Sequence, residues 1–115
     1  MYEYKAELVR VIDGDTVVLR LTKEFDFGFN IISSHTYEGS FRLLGINTPE
    51  IKGGEREAGL ISKQRVVDLL NAANEIKAIT YKPDKYGRWL AEIFVDGVNV
   101  NQLLIKEGLA VPYMV

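Results

Sequence analysis

The chain has 115 residues, no cysteine and a single histidine, His35. Without cysteine there are no disulfide scaffolds, thiol nucleophiles, cysteine-based zinc sites or iron–sulfur clusters. With one histidine, no centre that needs two imidazoles can form. Metal chemistry is left with oxygen donors, which suit calcium, magnesium or manganese. No apolar run approaches the roughly 20 residues that span a bilayer. The opening Met1-Tyr2-Glu3-Tyr4-Lys5 is polar and no apolar signal core follows it. That reads as a cytoplasmic, non-membrane protein, although a precursor trimmed ahead of this sequence would read the same way. An excess of one charge is also missing: 14 Lys and Arg face 16 Asp and Glu, for a net charge of −2 and a pI near 5.4. Bulk positive charge therefore does not hold a polyanion here, and any basic cleft must be local.

What is present is the material for a core. Hydrophobic residues make up 47% of the chain, and a domain of this length buries roughly 65% of the surface its unfolded chain exposes. Residues 1–115 read as one domain, monomeric by default, with no repeat or linker; the 3 prolines and 10 glycines are scattered as punctuation. Residues 7–12 and 16–21 are rich in Val, Ile and Leu around the turn signal Asp13-Gly14-Asp15. Residues 22–40 are less clear, and their aromatic side chains are expected to pack. Residues 40–46 read as a third strand, closed by Asn47-Thr48-Pro49. A helix is predicted over 55–71, with Ala58, Ile61, Val66, Leu69 and Leu70 on one half-face and Arg65 intruding on it. Strands follow at 75–81 and 89–95, then the tight-turn pair Asp96-Gly97. Asn99 is a plausible N-cap, with Gln102 three residues on, for a short helix ending at Gly108. This order predicts a mainly β (α+β) fold: a five-stranded antiparallel Greek-key barrel capped by two helices, the outline of an OB-fold.

Fold does not give function. Taken singly, the polar motifs are bland. Asp13-Gly14-Asp15-Thr16 is a turn, Arg42 sits on a solvated strand face, Glu50 follows a proline, and Asp84-Lys85-Tyr86-Gly87-Arg88 is a polar loop. Together they supply carboxylates at a turn and a strand end and arginines on two segments. Phosphodiester hydrolysis needs such a set: oxygen ligands for a hard cation, a carboxylate to activate water, and guanidinium forks to neutralise phosphoryl charge. Lysine serves less well there, because it lacks the planar fork.

Three blocks in order, Val11-Ile12-Asp13-Gly14-Asp15-Thr16-Val17, residues 41–50 and residues 84–88, resemble the staphylococcal nuclease (thermonuclease) family. Asp96-Gly97-Val98-Asn99-Val100-Asn101 and Glu107-Gly108-Leu109-Ala110 extend the resemblance. It implies an OB-fold and a calcium-dependent nuclease acting on DNA, RNA or both. By position it implies Asp15, Asn47 and the Thr48 carbonyl as metal ligands. Glu50 takes the place of the general base, and Arg42 and Arg88 those of the phosphate-gripping arginines. Lys85, Tyr86 and Tyr113 match nucleotide contacts, and Asp13 supports the metal site without touching the ion. Single strands are the expected preference, because a flexible backbone reaches a shallow cleft more easily.

The chain departs from the best-known family pattern at Asn47, where that pattern has an aspartate. Loss of one ligand charge weakens calcium binding, which opens a second reading: a catalytically silent module that binds nucleic acid or protein. A third, a bare structural OB-fold, leaves the Arg42, Glu50 and Arg88 coincidence unexplained. The segment 51–56 is shorter than the family's active-site loop, residues 22–40 are longer, and the family's further C-terminal helix has no counterpart before Val115. His35 reads as a solvated histidine and Trp89 as a residue packed on the barrel.

Overall fold

Each strand with one apolar face must bury it, and here the strands do so by closing on themselves. The computed structural model describes residues 2–83 and 88–113. β1 (Tyr2–Asp13), β2 (Thr16–Asp26) and β3 (Ile32–Leu43) form a meander, and β5 (Ile76–Tyr81) and β6 (Trp89–Val95) continue the sheet from the other side of β1. The neighbouring pairs are antiparallel, and the barrel closes where Phe41, Arg42 and Leu43 of β3 run parallel to Trp89, Leu90 and Ala91 of β6. The expected five-stranded barrel is therefore antiparallel except at its closing seam. Two short pieces complete the edges: β4 (Ile46–Asn47) pairs with β8 (Val111–Pro112), and β7 (Val98–Asn99) pairs with β6.

The core is the alternate residues of these strands, Val17, Leu19, Leu21, Phe41, Leu43, Ala91, Ile93 and Val95, closed off by Val66 and Leu70 of α1 (Arg56–Ala72) and Val100 and Leu104 of α2 (Val100–Lys106). Asn99 caps α2, its side chain accepting from the Gln102 N–H at 3.1 Å. Asp96 and Gly97 both have positive φ, as the tight turn between β6 and β7 requires. Arg65, the misfit on the α1 face, forks onto Glu107 with two 2.8 Å hydrogen bonds and ties α1 to the end of α2. Its guanidinium holds the Glu107 carboxyl below the usual range. Asn101 is buried, accepts from the Ile93 N–H and donates to the Leu44 and Ala91 carbonyls, so one amide links α2 to the barrel seam.

Two sequence expectations fail. On α1 the buried residues are Gly59, Ser62, Val66 and Leu70, while Ala58 and Ile61 are exposed. Residues 22–40 do not pack their aromatics into a core. They prolong β2 and β3 into a two-stranded ribbon beyond the barrel, which stretches the molecule to 58 × 31 × 21 Å. Phe25, Phe27, Phe29, Ile31, Ile32 and Tyr37 are all exposed, Phe29 at 96%. No helix among the described residues is long and apolar enough to cross a membrane.

Candidate active site

The β1–β2 connection is a two-residue turn, Gly14-Asp15, flanked by the register pair Asp13 and Thr16. The Asp15 N–H donates to Asp13 Oδ1 at 3.2 Å, the turn chemistry expected of aspartate. Gly14 is required by space: a Cβ there would lie 2.9 Å from Ser62 Cβ and from Thr48 Cγ2. The Asp15 carboxylate is buried, accepting from the Thr16 hydroxyl at 3.2 Å and from the Thr48 N–H at 3.1 Å. Arg42 Nη2 stands 3.8 Å from Asp15 Oδ2 and donates to Asn47 Oδ1 at 2.9 Å.

Arg42 is not the solvated strand arginine that its sequence context suggests. It is only 7% exposed, and the Tyr113 ring lies over its guanidinium at 4.9 Å, a cation–π contact. Tyr113 is held there by its N–H, which donates to the Gly45 carbonyl at 2.8 Å. Among the described residues, Arg42 Nη1 is buried with no hydrogen-bond partner. Such a group carries a desolvation penalty of about 1–3 kcal/mol, more when charged, until it finds an acceptor.

Glu50 follows β4 and Pro49, and α1 sets its backbone. A Cβ on Gly59 would meet the Glu50 carbonyl oxygen at 2.6 Å and that of Pro49 at 2.8 Å, so only glycine lets the helix approach this closely. From the other side the Glu50 N–H donates to Glu55 Oε2 at 3.2 Å. Glu55 ends a single 3-10 turn, Gly53–Glu55, in the segment expected to be a short loop. Ser62 Oγ donates to the Leu109 carbonyl at 2.7 Å and draws in the facing wall.

Asp13, Asp15, Arg42, Asn47, Thr48, Glu50 and Arg88 all line one open cavity of about 580 Å³. Tyr113 adjoins it through Arg42. Lys85 and Tyr86 lie outside the described residues. Sequence reading missed Glu55, which lines the cavity beside Glu50, and Gly59 and Ser62, which place its walls. The two small residues three apart on α1, breaking an apolar face, were the signal.

The electrostatics follow from crowding. Burial, then the hydrogen bond and charge of neighbouring Asp15, push the Asp13 carboxyl up to about 6. Burial acts in the same direction on Asp15, but the hydrogen bonds from Asp13 and the Thr48 N–H and the charge of Arg42 outweigh it, so Asp15 lies below its usual range. The two titrate as a pair, with the negative charge resting on Asp15. The cavity thus gathers four carboxyl side chains, those of Asp13, Asp15, Glu50 and Glu55, and the Asn47 amide beside two guanidinium groups. No cluster of three or more acidic, histidine or cysteine side chains suited to a metal exists among the described residues.

The family model described as staphylococcal nuclease homologue matches residues 40–115, which hold the Arg42, Asn47, Glu50 and Arg88 positions. The chain belongs to the staphylococcal nuclease homologue family. Its relatives include the SPbeta prophage-derived endonuclease YokF of Bacillus subtilis, 34% identical over 90% of this chain and 32% of that protein. Thermonuclease of Staphylococcus hyicus is 28% identical over 94% of this chain and 59% of that one. The uncharacterized protein MJ1439 of Methanocaldococcus jannaschii is 30% identical over 96% of the chain and 60% of its own length. The chain therefore spans 60% or less of each of these relatives. The family match begins at the last part of β3, so the Asp13-Gly14-Asp15 turn and the ribbon fall before it.

Proposed function

We propose that this domain is a metal-dependent nuclease that hydrolyses phosphodiester bonds in DNA or RNA, with single strands preferred. The observation that carries the reading is the buried, unpartnered Arg42 Nη1 in a cavity that also holds Asp15, Glu50 and Arg88. An arginine donor desolvated without an acceptor suits an incoming phosphoryl oxygen. In this reading the Glu50 carboxylate takes a proton from water as the water oxygen bonds to phosphorus and the P–O bond to the leaving sugar oxygen breaks. Arg42 and Arg88 neutralise charge on the phosphoryl oxygens as it develops.

The donor set fits a hard cation. Asp15, the Asn47 amide oxygen and the Thr48 carbonyl offer oxygen alone, and the Asn47 amide oxygen keeps a lone pair beyond its hydrogen bond from Arg42. Calcium, or magnesium or manganese, would be held by these three and would polarise the phosphate. Asn47 also favours a second reading, a silent module that binds nucleic acid without cleaving it: its amide oxygen already accepts from Arg42 at 2.9 Å and brings no charge to an ion.

A cleavage assay on single-stranded DNA and on RNA, with each of the three ions or with chelator, decides between them. Cleavage that needs metal and disappears in Glu50→Gln is expected. Arg42→Lys is expected to slow it about 100- to 1,000-fold, the effect of one lost preorganised donor. Binding with no cleavage under any ion would establish the silent module.

A further inference from the structure

The β2–β3 ribbon has two unlike faces. Strand alternation puts Leu21, Lys23 and Phe25 on one face with their register partners Tyr37, His35 and Ser33. The opposite face carries the Arg20–Glu38 ion pair, Glu24, Asp26 and Ile32. The ribbon runs on past Thr22, where the pairing of β2 with β1 ends, and past Phe41, where that of β3 with β6 begins. Two strands with an uncovered apolar face are marginal in water and need further strands against them. The open area is that of an interface. Phe25, Phe27, Phe29, Tyr37 and Trp89 are 43%, 64%, 96%, 55% and 42% exposed, and Ile31 is 57% exposed. At roughly 200 Å² for a whole aromatic side chain, these residues leave on the order of 700 Å² open. That is more than the roughly 300–600 Å² of the largest apolar patch on a typical monomer. It approaches the roughly 800 Å² that each partner contributes to a standard stable interface.

The two ends of the ribbon are complementary. At its base, Tyr4, Phe25, Tyr37, Phe41 and Trp89 line an open groove of about 520 Å³. Its walls are held in place. Gly39 makes room for the Tyr37 ring, since a Cβ there would come within 2.8 Å of it. Phe25 and His35 meet edge to face at 5.4 Å across the strands. At the tip stands Phe29, almost wholly exposed and with a φ of 53°. A bulky residue in that left-handed region is strained, and such strain marks a functional contact. The tip is closed around it by hydrogen bonds. The Phe27 N–H donates to the Ile31 carbonyl at 2.9 Å, the Ile31 N–H to the Gly28 carbonyl at 2.8 Å, and the Gly28 N–H to Asp26 Oδ1 at 2.9 Å. The chain thus carries an apolar knob and an apolar groove on one ribbon.

We infer that the protein forms a two-fold homodimer in which the apolar faces of two ribbons pack antiparallel, each Phe29 entering the groove at the base of the other ribbon. At about 3.4 Å per residue, Phe29 lies roughly 20 Å along the ribbon from His35. One antiparallel overlay therefore seats both tips at once, and the contact closes as a two-fold interface requires. The occupant is a second copy because knob and groove belong to the same chain. A polyanion or an anionic membrane finds no net attraction there, since Glu24, Asp26 and Glu38 outnumber Arg20 and Lys23 on the ribbon. The groove shares no lining residue with the candidate active-site cavity. Phe41 lines the groove and its neighbour Arg42 the cavity, so the two open on opposite faces of β3. The dimer leaves both cavities open, and the inference does not depend on the nuclease reading.

Sedimentation equilibrium of the full chain across the micromolar range tests this, with the emission of Trp89, the only tryptophan, reporting on the groove. A species of twice the 13.0 kDa chain mass is expected, its formation accompanied by a blue shift as Trp89 is covered. Phe27→Ser and Phe29→Ser, both at exposed positions, are expected to weaken association at least about tenfold and to remove the shift. Ile32→Ser, at an equally exposed position on the opposite face, is expected to leave both unchanged. A monomer at every concentration overturns the dimer, as does a dimer that Ile32→Ser weakens as much as Phe29→Ser. Association that persists in Phe27→Ser and Phe29→Ser, or forms without a Trp89 shift, overturns the ribbon as its interface. A monomer that binds phosphatidylcholine vesicles, and loses that binding in Phe29→Ser, overturns the second copy and gives the ribbon to a lipid surface.

Discussion

Asp13 and Asp15 share one turn but hold their protons very differently, and stability should record it. Asp13 titrates at about 6 in the fold against 3.8 unfolded, so between those values the folded chain holds the extra proton. Its contribution is complete below about pH 4 and is lost as pH rises through 6. Asp15 works in the opposite sense: its depressed value contributes stability above the unfolded range, lost as pH falls through the folded one. Asp13→Asn keeps an acceptor for the Asp15 N–H and removes the first titration. Urea midpoints should show the variant gaining on the parent from pH 4 to 7, by on the order of 1 kcal/mol after allowing for half-solvation. Equal pH profiles would mean that the pair does not share its proton. Asn47→Asp adds the missing ligand charge next to Arg42, and calorimetry with calcium should show tighter binding; unchanged affinity would mean that residue 47 does not meet the ion. The polar residues that line the cavity were bland singly and stood out only in combination, and the burial of Arg42 was not legible at all. Nothing in Phe41-Arg42-Leu43 announces that Tyr113, from the far end of the chain, will cover it.

Helix α1 shows how an element can be read correctly in extent and wrongly in rotation. Its span agrees with the expected 55–71 to within a residue at each end. The sequence pattern favoured the larger apolar side chains as the inward face. The structure puts glycine and serine inward at the N-terminal end instead, because that end lies against the backbone of Pro49 and Glu50, where a Cβ at residue 59 meets oxygen at 2.6 Å. Helix propensity alone favours Gly59→Ala by up to about 1 kcal/mol. The close approach should reverse that sign, to a loss of about 1–3 kcal/mol. Thermal unfolding decides it: a stabilised Gly59→Ala would mean that Glu50 is not held by this contact. If cleavage is also measured, kcat should fall further than stability accounts for, since Glu50 is displaced.

For the molecule as a whole, barrel and ribbon are energetically separate. No buried core residue lies between Thr22 and Ser40. Joining the register partners Lys23 and His35 by Asn-Gly in place of residues 24–34 should therefore leave the melting temperature within a few degrees. A collapse in stability would show that the ribbon contributes to the core after all.

The sequence by itself determined the order of the main strands and helices, the barrel, the caps at Asn99 and Gly108, and the set of oxygen and guanidinium groups, because these depend on local periodicity, turn chemistry and residue type; the short strands β4, β7 and β8 and the extent of the ribbon were not in it. Tertiary structure alone decided that the closing seam runs parallel, that Arg42 is buried beneath Tyr113, that α1 turns its small residues inward, and that the ribbon's aromatic face stays uncovered. Each of these depends on what lies opposite a residue in space, across separations along the chain that no local pattern encodes.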